Sequence, residues 1–107
     1  MKTNRYTFID LFAGIGGFHT AMHYVGAKCV FASEWDKYAR ISYEENYKLI
    51  EPKLFEKDKN GEYKYFKGDI TKVDPNTIPN FDICWRNRQT LWGGCTDANP
   101  KLLLNDT

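Results

Sequence analysis

The stretch Phe12-Ala13-Gly14-Ile15-Gly16-Gly17 puts three glycines within four positions. Glycine lets a backbone turn sharply and come close to a ligand, and amide N–H groups at a helix start can point at that ligand. The same turn can also do no more than pack a helix onto a strand. A dinucleotide fingerprint, GxGxxG, needs a third glycine where the chain has His19, so a nucleotide-cofactor oxidoreductase domain fits only in part. Twenty residues after Gly14 stands Glu34-Trp35-Asp36. An acid at that interval is placed to accept hydrogen bonds from ribose hydroxyls, and an indole beside it can lie against an adenine ring. The plainer alternatives are a glutamate that caps the next helix and a tryptophan that belongs to the core. Gly68-Asp69-Ile70 is the third candidate. A carboxylate there could accept the adenine amino group, although a Gly-Asp pair also marks an ordinary turn.

The other reactive side chains form no such constellation. His19 and His23 are four apart, a spacing that suits metal ligands, but no Glu or Cys partner completes a site, so they read as packing or solvent-facing side chains and no metal is expected. Cys29 lies inside an apolar run and reads as a small core residue. Cys84 and Cys95 have no neighbouring His or Lys to lower a thiol pKa. Three cysteines without a CxxC pair suggest a reduced, cytoplasmic protein. Arg86 and Arg88 read as surface.

These motifs must be held by elements, and the local patterns supply them. Tyr6–Leu11 is an apolar run ending at the glycine turn, as a buried strand does. Phe18, Ala21, Met22 and Val25 fall at helical spacing, with Gly26 as a stop. Lys28–Ala32 is a second short strand. Asp36–Tyr47 reads as a helix with Ala39, Tyr43 and Tyr47 along one line and Glu44 and Glu45 facing outward. Residues 51–64 read as a solvated loop or hairpin tip turning at Asn60-Gly61. Tyr63–Phe66 is a third strand, Asp74–Ile78 a short turn, and Phe81–Ile83 the start of a fourth strand. Alternating strands and helices build a parallel sheet with helices on its faces.

Composition bounds the rest. The 107 residues carry 15 Lys and Arg against 14 Asp and Glu, a net +1. That excludes a nucleic-acid binder working by bulk charge, and a polybasic membrane anchor. Aromatic content of 16% is too high for a disordered chain. No apolar run suits a membrane span, and no signal-peptide stretch opens the chain. The texture changes after Ile83. The last 24 residues, CWRNRQTLWGGCTDANPKLLLNDT, show neither helical period nor alternation. Residues 1–83 therefore read as one unit, and 84–107 as a divergent tail.

YTFIDLFAGIGGFHTAMHYVGAKCVFASEWDKYA, followed by GDITKVDPNTIPNFDI, resembles the N-terminal part of the DNA (cytosine-5)-methyltransferases of restriction–modification systems and their eukaryotic relatives. The resemblance covers residues 6–83 and implies an α/β, Rossmann-like S-adenosylmethionine-dependent methyltransferase fold, here incomplete. It implies that Phe12, Gly14, Ile15 and Gly17 line the methionine and ribose side of S-adenosylmethionine. It further implies that Glu34 holds the ribose hydroxyls, Trp35 packs on the adenine, and Asp69 with Ile70 meets the amino edge. In that family a Pro-Cys-Gln motif follows a few residues after Asp82-Ile83, and its cysteine attacks C6 of a flipped-out cytosine. This chain reads Cys84-Trp85-Arg86-Asn87-Arg88-Gln89 instead, and neither Cys84 nor Cys95 follows a proline. No catalytic residue is therefore assigned. The family's acidic, arginine and target-recognition regions would fall beyond residue 107. A shifted reading frame or a truncation would produce this seam, giving a cofactor-binding part inactive alone. The alternatives are a non-catalytic subunit of a split methyltransferase and, from another class, the oxidoreductase domain. The expected partners are DNA in the full-length family and a complementary methyltransferase chain or a second copy; a membrane is not expected.

Overall fold

The structure is a computed structural model and describes residues 6–11, 17–86 and 103–106, with Arg86 and the last four as backbone alone. In chain order the elements are β1 (Thr7–Leu11), α1 (Gly17–Tyr24), β2 (Lys28–Ser33), α2 (Lys37–Tyr47), β3 (Phe66–Lys67), β4 (Ile83–Arg86) and β5 (Leu103–Asp106). Short 3-10 turns lie at Pro52–Phe55, Ile70–Lys72 and Pro75–Thr77. The five strands form one sheet in the order β3-β2-β1-β4-β5, and every pairing is parallel.

β1 sits in the middle, so both its faces are covered and its sequence is apolar almost throughout. Alternation along the strand sends Phe8 to one core and Ile9 and Leu11 to the other. On the first side Phe8, Cys29 and Ala32 meet Tyr43 and Tyr47 of α2 and Phe55, with Phe18 and Met22 of α1 packed against them. On the second, Phe31 and Cys84 meet Ile70, Ile78 and Phe81. An extra residue in β2 sets these faces: Phe8 pairs with Cys29 but Ile9 pairs with Phe31, so Val30 is bulged.

The turns are sequence-encoded. Gly26, at φ 85°, ends α1 and places its N–H on His23 O at 3.0 Å while Ala27 N reaches Met22 O at 3.0 Å. Asp36 caps α2 by accepting from Ala39 N at 3.1 Å. Gly61, at φ 82°, turns the hairpin tip, where a Lys57–Tyr63 bridge closes the base.

Several boundaries differ from the sequence reading. α1 ends at Tyr24, so Val25 lies beyond it and is 74% exposed, while His19 is buried completely beside Phe18 and Met22, which pack on the core. The third strand is Phe66–Lys67 rather than Tyr63–Phe66, because Tyr63 is taken up by the hairpin bridge. Glu44 is not wholly outward; it accepts a 2.6 Å hydrogen bond from the Tyr63 hydroxyl. The boundary expected after Ile83 falls inside β4, which continues through Cys84 and Trp85, and Leu103–Asp106 adds a fifth strand.

The helix-side core encloses a polar cluster. Tyr43 Oη donates to Asp10 Oδ2 at 3.2 Å and lies 2.5 Å from His19 Nδ1. When Asp10 is ionised, Tyr43 gives its single proton to that carboxylate and His19 donates from Nδ1. His19 stacks on Tyr47 at 3.9 Å, and Tyr47 is hydrogen-bonded to Thr20. Asp10 Oδ1 and His19 Nε2 are buried without a partner among the described residues. Burial pushes the Asp10 carboxyl up to about 7, the Tyr43 bond opposing and the Glu34 charge adding to it. Burial, with His23 nearby, pulls the His19 imidazole down to about 4.

The two shifts have opposite linkage signs. Between pH 4 and 7 folded Asp10 holds a proton that the unfolded chain has lost, so its contribution to stability falls as pH rises. Folded His19 lacks a proton that the unfolded chain holds between pH 4 and 6.5, so its contribution rises. Below pH 6.5 they offset one another. Asp10→Asn should expose the rising slope and His19→Phe the falling one, each differing from the parent by up to about 1.4 kcal/mol per pH unit. Urea unfolding at pH 4.5, 5.5 and 6.5 measures this; slopes unchanged in both variants would refute it.

Candidate functional site

A parallel sheet points the carboxyl ends of all its strands at one edge, where the loops that follow them gather. The three candidate motifs follow β1, β2 and β3, which are adjacent in the order β3-β2-β1. Phe12, Gly14 and Ile15 lie outside the described residues. Gly17 opens α1, exposed, with open space where a side chain would be.

At the end of β2, Glu34 is 9% exposed and its N–H donates to Lys67 O at 2.9 Å, tying the turn to β3. Its carboxylate accepts from Asp36 N at 2.9 Å. The helix cap itself is Asp36, and Glu34 supports it by accepting its N–H. Trp35 is 70% exposed and is no part of the core. The core reading of Trp35 is thus set aside, while the Glu34 carboxylate does serve the start of α2 through the Asp36 N–H. The Glu34 and Trp35 carbonyls both accept from Arg40 Nη1, at 2.8 and 2.9 Å.

After β3, Asp69 accepts from Thr71 N at 3.0 Å and Thr71 Oγ1 at 2.6 Å, and these bonds hold its carboxyl below the usual range. Asp69 therefore does cap a turn, in addition to standing on the same sheet edge as Glu34. Ile70 is buried with Ile9, Leu11 and Phe31, so its side chain belongs to the core.

Two groups at this edge escaped the sequence reading. Asp10 is the buried carboxyl near the end of β1; within an apolar run it resembled a tolerated polar residue, and only burial gives it significance. Arg40 binds the turn ahead of its own helix, and its signal was the four-residue interval from Asp36. Of the cysteines described, Cys29 is buried with its thiol pushed well up by burial, and Cys84 is fully buried. Neither offers a thiolate to solvent. Among the described residues no three His, Cys, Asp or Glu side chains gather as metal ligands. No helix among them is long and apolar enough to cross a membrane.

Known proteins resemble this chain in sequence and in fold. The sequence model of the C-5 cytosine-specific DNA methylases matches residues 6–85. The chain is 47% identical over 76 residues to the type II methyltransferase M.HhaI of Haemophilus parahaemolyticus, covering 71% of this chain and 19% of that one. It is 48% identical over 77 residues to M.BsuFI of Bacillus subtilis, covering 72% and 15%. This chain thus spans less than a fifth of the length of these relatives. Among solved structures, a ribosomal protein L11 methylase from Lactobacillus delbrueckii subsp. bulgaricus superposes with a TM-score of 0.50 at 24% identity, over 94% of this chain and 47% of that one. That likeness concerns the fold, an incomplete Rossmann-like methyltransferase fold. With the family match running from the first strand through Trp85 in the fourth, the chain belongs to the C-5 cytosine-specific DNA methylase family.

Proposed function

We propose that this chain is the S-adenosylmethionine-binding part of a restriction–modification DNA (cytosine-5)-methyltransferase, and that alone it does not methylate DNA. The observation that carries the reading is the pairing of buried Glu34 with exposed Trp35 beside Asp69, at the ends of adjacent parallel strands. That donor set fits a nucleoside: a carboxylate for two vicinal hydroxyls, an aromatic face for a purine, and a second acid for an exocyclic amine. Glu34 would hold the ribose, Trp35 the adenine face, and Asp69 with Ile70 the amino edge. Phe12, Gly14, Ile15 and Gly17 would line the methionine side. When bound, S-adenosylmethionine supplies an activated methyl group. The oxidoreductase alternative is not carried forward, because the family matched is a methylase.

Cytosine C5 becomes nucleophilic only after a thiolate has added at C6, with an acid steadying the ring at N3. Burial keeps Cys29 and Cys84 from a DNA base, and Cys95 lacks the preceding proline of the family's nucleophile. In the cytoplasm, where we place the protein, burial holds the Cys84 sulfur from DNA. DNA is the partner of the complete enzyme. A second reading, a non-catalytic subunit, is favoured by the way residues 103–106 close the sheet with a parallel edge strand that a complementary chain could extend.

Glu34→Ala should weaken S-adenosylhomocysteine binding roughly 10- to 100-fold, as loss of a charge-assisted hydrogen bond does. Calorimetry on the folded variant decides; an affinity equal to the parent's removes the ribose assignment. Purified chain, incubated with labelled S-adenosylmethionine and DNA carrying 5-fluorocytosine, should transfer no label and trap no covalent adduct. An adduct would overturn the inactive reading. Activity appearing only with an added chain bearing Pro-Cys-Gln would select the subunit reading.

A further inference from the structure

We propose that Arg40 is a positioning residue for the cofactor site: together with Gly68 it locks the Glu34–Trp35 turn in the shape that receives a nucleoside. This rests on the cofactor reading above. Arg40 Nη1 carries two N–H groups, and the geometry gives one to each carbonyl, Glu34 O at 2.8 Å and Trp35 O at 2.9 Å. Both carbonyls lie past the end of β2, beyond the ladder that supplies partners to strand carbonyls. The guanidinium takes over that task where the chain leaves the sheet to start α2.

Arg40 is itself well anchored. Its main-chain N–H donates to Asp36 O at 3.0 Å, so the side chain projects from the first turn of α2 and reaches back over the residues leading into it. The turn is then held from three directions. Lys67 O holds Glu34 N, Glu34 Oε2 holds Asp36 N, and the guanidinium holds the two carbonyls between them.

Gly68 supplies the room. A Cβ at that position would lie 3.0 Å from Arg40 Nη1, 3.7 Å from Cζ and 4.0 Å from Glu34 O. Its backbone does not demand glycine, since the described glycines at positive φ are Gly26 and Gly61. A side chain there would make the guanidinium give way by a few tenths of an ångström, shifting it on the two carbonyls it holds. The glycine of the Gly68-Asp69 pair thus serves the β2 turn as well as its own, and it couples the ribose and amino-edge motifs through one arginine. Because the contact is made by a flat, two-hydrogen nitrogen at the end of a long stem, lysine can restore only part of it.

The test uses the whole 107-residue chain with Arg40→Ala, Arg40→Lys, Gly68→Ala and the Arg40→Ala/Gly68→Ala double variant. Amide exchange at Asp36 reads the turn without any ligand, and calorimetry reads S-adenosylhomocysteine and adenosine. Arg40→Ala should speed Asp36 exchange about tenfold and weaken both ligands by a similar factor, while the Phe8–Asp10 amides keep their protection. Arg40→Lys should recover part of both effects. Gly68→Ala should mimic Arg40→Ala in the parent but add nothing to it, the non-additivity expected of two parts of one contact. Unchanged Asp36 exchange in Arg40→Ala overturns the proposal, and so does a Gly68→Ala effect of equal size with and without Arg40. If Arg40→Ala unfolds the chain, Gly68→Ala decides, and unchanged Asp36 exchange there overturns it equally. Glu34→Ala keeps the two readings apart. Intact ligand binding in that variant defeats the cofactor assignment, whereas the exchange result still judges the lock.

Discussion

Parallel pairing of β1 with a strand on each side is the constraint from which the site follows. Thr7 shows how firmly the pairing is started: its N–H donates to the Asp82 carboxylate at 2.9 Å and its carbonyl accepts from Asp82 N at 3.0 Å. On the other flank Lys28 N donates to Tyr6 O at 2.8 Å. With β1, β2 and β4 aligned from their first residues, their carboxyl ends must emerge together. A slip of one residue in any of them would turn Phe8 or Ile9 away from its core. The hydrophobic pattern that fixes the register therefore also fixes where the acidic and aromatic side chains at the strand ends come to lie.

The helix face adds a second kind of specification. Tyr43 brings one hydroxyl to Asp10, His19 and, at 3.9 Å, Cys29, so α1, α2, β1 and β2 share a single polar point inside an otherwise apolar layer. Such a point stabilises little on balance, because two of its atoms have no partner. What it does is penalise alternative packings, each of which would strand a further buried donor or acceptor. Glu51 plays a comparable part at the opposite end of β2, where its buried carboxylate accepts from Cys29 N at 3.3 Å and pairs with Lys28 at 3.2 Å.

Much of this was legible in the sequence where a local period or a local turn chemistry governs. β1 and β2 announce themselves as short apolar runs, Gly26 ends α1 by its backbone freedom, and Tyr43 and Tyr47 fall on the buried line of α2. The order of the three motifs also emerges directly, since strand–helix alternation forces them onto one edge. Features set by contacts between distant segments were not legible. The apolar period of α1 did not mark His19, which is drawn in by stacking on Tyr47 and by its hydrogen bond to Tyr43, and the helix ends before Val25. Tyr63 was counted into a strand because its type suits one, whereas Lys57 and Glu44 claim it. The continuation of β4 into Cys84 and Trp85 is invisible to a motif comparison, because pairing depends on backbone groups that every residue carries. Trp85 then stacks on Phe18 at 4.5 Å, a partner 67 positions away in the chain.

The hairpin tip between Lys57 and Tyr63 has a consequence for how the chain can vary. Its base is fastened by the Lys57–Tyr63 bridge and by the Tyr63–Glu44 hydrogen bond, while Asp58 organises the tip internally by accepting from Asn60 N and Glu62 N. Extra residues placed beyond that base would lengthen a loop whose closure is already secured, and doubling its length costs only about 0.6 kcal/mol. The tip residues Asn60, Gly61 and Glu62 line a shallow pocket together with Arg40, Lys67 and Gly68, so additions there would border the turn that follows β2. The tip is thus free to vary in length without loosening its base, and whatever it carries stands next to the turn that Arg40 holds.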